Sequence, residues 1–188
     1  MEKNKEKKPS RAEAMVMSAT SSLGASGPTS PKRHYSMTAA TAEGLHKKLK
    51  GRWTLIDHLV DEEPFIERFA ARALKNATLE DAVYSSEYEF KAGLCLKHIK
   101  ISGIVRNEDG LLDYQYSLRL ALSWDFDAPG LIRFLPELGY QCTELGGEPV
   151  AVKELDSQEE PTLTAFRFEG SMLVLEEGSD IKRLERLS

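Results

Sequence analysis

The sequence predicts a mainly β fold: an antiparallel meander that closes into a barrel, with an amphipathic helix after its first strand. Three observations carry this expectation. Between Asp113 and Trp124, residues Tyr114, Tyr116, Leu118, Leu120, Leu122 and Trp124 share one parity, and Asp113, Gln115, Ser117, Arg119, Ala121 and Ser123 share the other. That is the period of a strand with one dry face, and no helix produces it. Turn sequences recur at short spacing, at Asn107-Glu108-Asp109-Gly110, Asp127-Ala128-Pro129-Gly130, Gly146-Gly147 and Gly170-Ser171, so the second half of the chain divides into strands joined by tight connections. The Asp113 element also exceeds the usual strand length of about 5–6 residues, which suits a curved sheet. A meander of about nine such strands resolves its edges by closing.

The elements follow in order. Residues 1–35 mix Lys and Glu, then Ser, Thr, Ala, Gly and Pro, without an apolar period, and such a stretch buries too little surface to offset its ordering entropy. It is expected to be a disordered tail, with residues 36–188 as the barrel domain. Met37 to Leu49 carries helix formers and ends on His46-Lys47-Lys48, with Gly51 as a stop, a short helix whose basic end suits its C-terminal dipole. Gly51 to Val60 reads as the first strand, with Trp53, Leu55, Asp57 and Leu59 on one parity. Asp61-Glu62-Glu63-Pro64 reads as a helix start, after which Phe65, Ile66, Phe69, Ala70, Ala73 and Leu74 fall on one helical face. Asn76 is expected to end that helix, and Thr78-Leu79-Glu80-Asp81 resembles a capping box that begins a further turn.

From Val83 the β pattern holds. Tyr84, Ser86, Tyr88 and Phe90 alternate with Ser85, Glu87, Glu89 and Lys91, and Ala92-Gly93 breaks the run. In Leu94 to Val105, Leu94 and Leu96 hold one parity and Ile99 and Ile101 the other, which predicts either a bulge near Lys97 and His98 or a strand buried on both faces. Leu131 to Leu145 is interrupted by Pro136, which implies an edge, a bulge or a break. Val150 to Leu155 is a short strand, Asp156 to Pro161 an acidic loop, and Leu163 to Glu169 pairs with Met172 to Glu176. Ile181 to Leu187 is the last strand or a closing helical turn.

Composition bounds the function. The chain of 188 residues is 41% hydrophobic and 29% charged, which suits one globular domain of the usual ~100–200 residues. Its net charge of -5 is unevenly placed: residues 1–50 carry ten Lys or Arg against four Glu, so the remainder is strongly acidic. An acidic body argues against a nucleic-acid partner, because neutralising phosphates takes clustered cations. The best N-terminal apolar run, Ala14 to Met17, is shorter than a signal peptide needs, and no membrane span is visible, so a cytoplasmic setting is expected. Cys95 and Cys142 are the only cysteines; a framework of disulfides is excluded, one bridge between them is open to the sequence, and reduced thiols fit the setting. No HExxH, CxxC or Gly-rich phosphate loop is present, so neither a metal nor a cofactor is expected. No Ser-His-Asp order suggests an enzyme. Cys95 and His98, three apart on a strand, point to opposite faces and do not make a nucleophile–base pair.

Gly51-Arg52-Trp53, a Gly-x-Trp opening the first strand just after a short helix, resembles the opening motif of the lipocalins and the wider calycin group. The resemblance implies that Trp53 plugs the closed end of a barrel and that an Arg from the last strand, Arg183 or Arg186, packs across its indole ring. Lipocalins normally carry a signal peptide and place their main helix after the barrel. The helix after the first strand is instead similar to the intracellular fatty-acid-binding proteins, which are cytosolic. Those carry an Arg-x-Tyr pair on a late strand for a ligand carboxylate; this chain has no Tyr after Tyr140, so that mode of capture is not expected.

A small barrel either fills its interior with side chains or keeps a ligand cavity. In the second case Tyr84, Tyr88, Phe90, Tyr114, Tyr116, Phe166 and Phe168 line it, the tyrosine hydroxyls supplying the few polar contacts that a pocket uses. Two functions follow: a non-catalytic module that binds a small apolar ligand inside the barrel, or an interaction protein with a filled interior that binds a protein partner through its surface or its N-terminal tail.

Overall fold

The computed structural model describes residues 39–74, 77–108, 110–156 and 160–187; the expected tail, the Asn76 stop and part of the acidic loop lie outside them. Among the described residues two helices and ten strands follow one another as α1 (Ala39–Leu49), β1 (Gly51–Val60), β2 (Glu63–Pro64), α2 (Phe65–Ala73), β3 (Thr78–Phe90), β4 (Leu94–Asn107), β5 (Gly110–Ala128), β6 (Leu131–Leu145), β7 (Glu148–Asp156), β8 (Thr162–Glu169), β9 (Met172–Glu177) and β10 (Asp180–Arg186). Eight of the strands form a closed antiparallel barrel in the order β1-β3-β4-β5-β6-β8-β9-β10, with β10 pairing back to β1. β6 pairs first with β8 and then, beyond Pro136, with β7, which lies outside the closed ring. The change of partner falls at a bulge opposite Ala121 and Leu122, where a proline that cannot donate to the ladder is tolerated.

One end is plugged as the Gly-x-Trp motif implies. Trp53 is buried, its Nε1 donates to the Leu49 carbonyl at 2.8 Å, and the Arg186 guanidinium lies 5.0 Å from its ring centre. Arg186 also donates to the carbonyls of Lys48 and Lys50, which fastens the C-terminal end of α1. Gly51, at φ +130, has Arg186 Nε 3.5 Å from where a Cβ would stand, so the left-handed backbone and the passing guanidinium both favour glycine. Arg183 takes the other face and pairs with Asp57 at 2.6 Å. Against this plug packs one apolar cluster, including Leu49, Phe90, Trp124, Ile132, Phe166, Leu173 and Leu184. At the opposite end Phe65, Ile66 and Phe69 of α2 cover a second cluster built on Ile99, Ile101, Val105 and Tyr114.

Three expectations are corrected. Asp61 and Glu62 do not open the helix: they occupy a turn at positive φ, Glu63–Pro64 pairs with β1, and α2 begins at Phe65. Thr78 to Asp81 begins β3 instead of a helical turn, with a bulge between Glu80 and Val83. β4 has neither a bulge of its own nor two apolar faces; its pairing with β5 is continuous, with Cys95, Lys97, Ile99 and Ile101 inward and Leu96 and His98 outward. Pattern reading failed there because a lysine occupies an inward position. Cys95 and Cys142 are both free and buried, and the register puts Cys95 on the inner parity and Cys142 on the outer. Ile181 to Arg186 is strand. No helix among the described residues is long and apolar enough to cross a membrane.

Candidate functional site

Inward positions on three strands pass through the same series of environments. They run Tyr84, Ser86, Tyr88, Phe90 on β3; Ile99, Lys97, Cys95 on β4; and Asp180, Lys182, Leu184 on β10. Phe90, Cys95 and Leu184 belong to the plugged-end cluster, and Tyr84 and Ile99 to the one under α2. Between the clusters, Ser86, Lys97, Lys182 and Asp180 form a polar layer across the barrel.

His58 joins this layer through a bulge. Leu55 pairs with Leu184 and Asp57 with Arg183, so Ile56 is an extra residue in β1. A one-residue shift reverses which face each later side chain takes. Asp57 therefore points outward with Arg183, contrary to the simple alternation from Trp53, and His58 points inward opposite Lys182. It is 7% exposed and stacks on Phe65, the rings 4.3 Å apart and nearly parallel.

The hydrogen bonds define its protonation. The Tyr84 hydroxyl lies 2.8 Å from Nδ1, and Asp180 Oδ1 lies 2.8 Å from Nε2. An ionised carboxylate only accepts, so Nε2 carries the proton and Nδ1 accepts from the tyrosine. Burial lowers the His58 pKa, with the Asp180 hydrogen bond opposing it, and burial raises that of Tyr84, so the neutral imidazole and protonated phenol are the forms in place. Asp180 also accepts from Lys182 Nζ at 2.5 Å. Burial alone would raise its pKa, but the His58 hydrogen bond and the Lys182 charge and hydrogen bond outweigh it and bring it to about 2.

Lys97 has no such partner. Its Nζ sits 5.4 Å from the Tyr88 ring centre, and among the described residues it forms no ion pair. Burial lowers its pKa, against the pull of Asp180. Cys95 and Tyr88, on either side of it, are each pushed by burial up to about 12 and stay neutral. Ser86, 1% exposed, is near the Tyr84 and Tyr88 hydroxyls but its Oγ completes no hydrogen bond.

All seven aromatic residues expected to line a cavity are present in two groups. Phe90, Phe166 and Phe168 pack at the plugged end, with Phe90 against Trp124 at 5.4 Å, Phe166 against Phe126 at 5.5 Å and Phe168 against Trp53 at 6.2 Å. Tyr84, Tyr114 and Tyr116 gather under α2, Phe69 meeting Tyr116 at 5.4 Å and Phe65 meeting Tyr84 at 4.9 Å. Tyr88 belongs to the plugged-end group, its ring 6.4 Å from that of Phe90. Midway along the barrel, Leu55, Tyr84, Lys97, Tyr116, Leu118 and Leu120 face inward yet are only half-buried. Sequence reasoning missed His58, Ser86, Lys97, Asp180 and Lys182. Only for Ser86 and Lys97 was a signal available, a polar residue on the same parity as Tyr84 or Ile99.

Outside the barrel, a groove of about 490 Å³ crosses β3 to β6 and is lined by Arg52, Glu87, Leu96, His98, Arg119, Leu138 and Tyr140, among others. Leu138 is 66% exposed. Comparison of the chain with known protein families, with curated proteins and with solved structures finds no match in any of them.

Proposed function

We propose that this protein is a lipocalin-like, non-catalytic binding barrel that takes a small, largely apolar molecule into its interior beneath α2. The observation that carries the reading is the half-burial of Leu55, Tyr116, Leu118 and Leu120 although the sheet closes around them. Inward side chains of a filled barrel touch one another and lose their accessible surface, as they do at the plugged end; these pack against the edges of the two clusters and still keep part of theirs. The lining mixes leucine and tyrosine with a few polar groups, the balance usual in small-molecule sites. Two buried cysteines that do not pair suit a reducing compartment, which supports a cytoplasmic setting.

The test is native mass spectrometry of the full-length protein after cell expression, with extraction of whatever is bound. A recurrent small molecule is expected, lost from the Leu118→Phe, Leu120→Phe double variant while the circular dichroism spectrum stays unchanged. A clean apo mass, with no uptake of an apolar dye, removes the reading. It would favour a second one, docking of a protein partner at the outer groove, where Leu138 and Tyr140 present apolar surface.

A further inference from the structure

We propose that the free edge of β7 is a docking site for an extended, basic segment of another protein, which adds itself to the sheet as one more strand. The site lies outside the closed ring and stands whatever the interior holds.

The backbone supplies the opening. β7 pairs with β6 and with no other described strand, and among the described residues no backbone hydrogen bond outside that ladder reaches it. Its nine residues exceed the usual ~5–6 of a strand, so a long row of main-chain groups faces outward. Natural edges are commonly shortened, bulged or capped by proline; here Pro149 and the bulge opposite Thr143 and Glu144 protect only the start. From Ala151 to Leu155 the register with β6 is regular, and the β-branched Val152 stands 56% exposed within it. Leu138 and Tyr140, exposed on β6 beside it, extend the apolar surface.

Charge decides the occupant. Beyond Pro136 the β6–β7 hairpin carries Glu137, Glu144, Glu148 and Glu154 against a single cation, Lys153. Among the described residues none of these five is in an ion pair, so the acidic excess beside the edge is uncompensated. A second copy fits poorly. The two-fold axis that relates neighbouring antiparallel strands stands perpendicular to the sheet and keeps each residue on its own face. Lys153 pairs with Gln141 and Glu154 with Tyr140, so they occupy opposite faces and no symmetric register sets one against the other. Centred on Val152, Lys153 or Glu154, such a pairing places Lys153 opposite Ala151, itself or Leu155, and the last two registers set like charges together at the centre. A foreign strand is free of that symmetry. With Lys or Arg opposite Glu148 and Glu154 and a β-branched residue opposite Val152, it meets the acids with cations, while its main chain completes the open ladder.

The experiment gives full-length protein three amidated peptides: Arg-Thr-Val-Thr-Lys-Val-Arg, the same peptide with Glu for every Arg and Lys, and the basic peptide N-methylated across Thr-Val-Thr, which removes backbone donors and keeps the charges. Fluorescence anisotropy reads affinity, and amide exchange followed by nuclear magnetic resonance reads the place. The basic peptide is expected to bind roughly tenfold or more tightly than the acidic one and to slow exchange between Ala151 and Leu155, and N-methylation should abolish both effects. The Glu148→Lys, Glu154→Lys variant, with its circular dichroism unchanged, should prefer the acidic peptide instead. Absent or equal binding of the two peptides, or a preference that the variant does not reverse, overturns the charge-matched site. Binding that survives N-methylation, or that leaves exchange from Ala151 to Leu155 as it was, overturns strand addition. Slow exchange there without any peptide, together with a dimer mass in sedimentation, overturns the foreign strand in favour of a second copy.

Discussion

Replacing Trp53 with Ala removes the plug, and the size of the loss follows from its contacts. The indole is 2% exposed, donates to the Leu49 carbonyl at 2.8 Å, packs on Phe168 and lies under Arg186 at 5.0 Å. Truncating a buried Trp costs about 3–5 kcal/mol through lost burial and the cavity left behind. The severed hydrogen bond adds about 1 kcal/mol. The Arg186 contact is exposed on one side, which limits it to about 0.5–1 kcal/mol. These contributions overlap, so the expected total is about 4–5 kcal/mol, a large part of the ~5–15 kcal/mol that holds a domain together. Urea denaturation followed by circular dichroism measures it, because Trp124 would mask a change in tryptophan fluorescence. A cycle of Trp53→Leu and Arg186→Met isolates the cation–ring term, with a coupling of about 0.5–1 kcal/mol expected. A loss below about 1 kcal/mol for Trp53→Ala would show that the closed end does not depend on its plug. A coupling of zero would show that Arg186 acts only by holding the Lys48 and Lys50 carbonyls.

Three further perturbations test other parts of the account. In Gly103→Ala the new Cβ would stand 2.8 Å from the Glu80 carbonyl oxygen and 3.3 Å from Ala82 Cα; both are backbone, so a destabilisation of about 1–3 kcal/mol is expected in the same denaturation assay. A parent-like midpoint would mean that the β3 bulge gives way easily. Acid should weaken the fold in two steps: His58 and Asp180 are both held below their ordinary values of 6.5 and 3.8, so their contributions are present above those values and are lost as pH falls through each. The Asp180 share is at most about 2 kcal/mol, since its side chain keeps some solvent, and Asp180→Asn should flatten the pH dependence below pH ~4. An unchanged slope in that variant would remove Asp180 from the acid response. Deleting Ile56 takes away the extra residue while preserving the pairing of Leu55 with Leu184 and of His58 with Lys182, so the protein should fold with His58 inside and change stability by less than about 1 kcal/mol. Loss of the fold would show that the bend at Ile56, more than the register, is required.

Much of the barrel is legible where apolar parity is uninterrupted. Tyr114 to Trp124, the Asn107–Gly110 hairpin, the face of α2 and the Gly51-x-Trp53 plug all follow from local pattern. The polar layer is not, for two physical reasons. An extra residue such as Ile56 leaves no mark in the sequence, yet it reverses the facing of everything after it, which is how His58 comes inside. An inward lysine such as Lys97 reads as a solvent position even on the parity of Ile99, and the registers of β3 and β5 on either side of it fix its direction. Ser86 illustrates the converse: its parity with Tyr84 and Phe90 marked it as inward, but nothing in the chain announces that its hydroxyl lacks a partner.

The ladders around the barrel are far from equal. β4 meets β5 at fourteen paired positions and β3 at eleven. By contrast β1 meets β3 at four and β6 meets β8 at four. β8, β9 and β10 join one another at five positions each, so the ring has one broad shell, β3 to β6, whose two edges meet the rest along thin seams, β1–β3 and β6–β8. Beyond Thr54 the first seam is bridged by the Tyr84–His58 hydrogen bond in place of backbone rungs, with α2 packed against β1, β2 and β3 beside it. A ring loosens first where its ladders are shortest, so amide exchange at Thr54 to Leu59 on the β3-facing edge should run well ahead of exchange in β4 and β5.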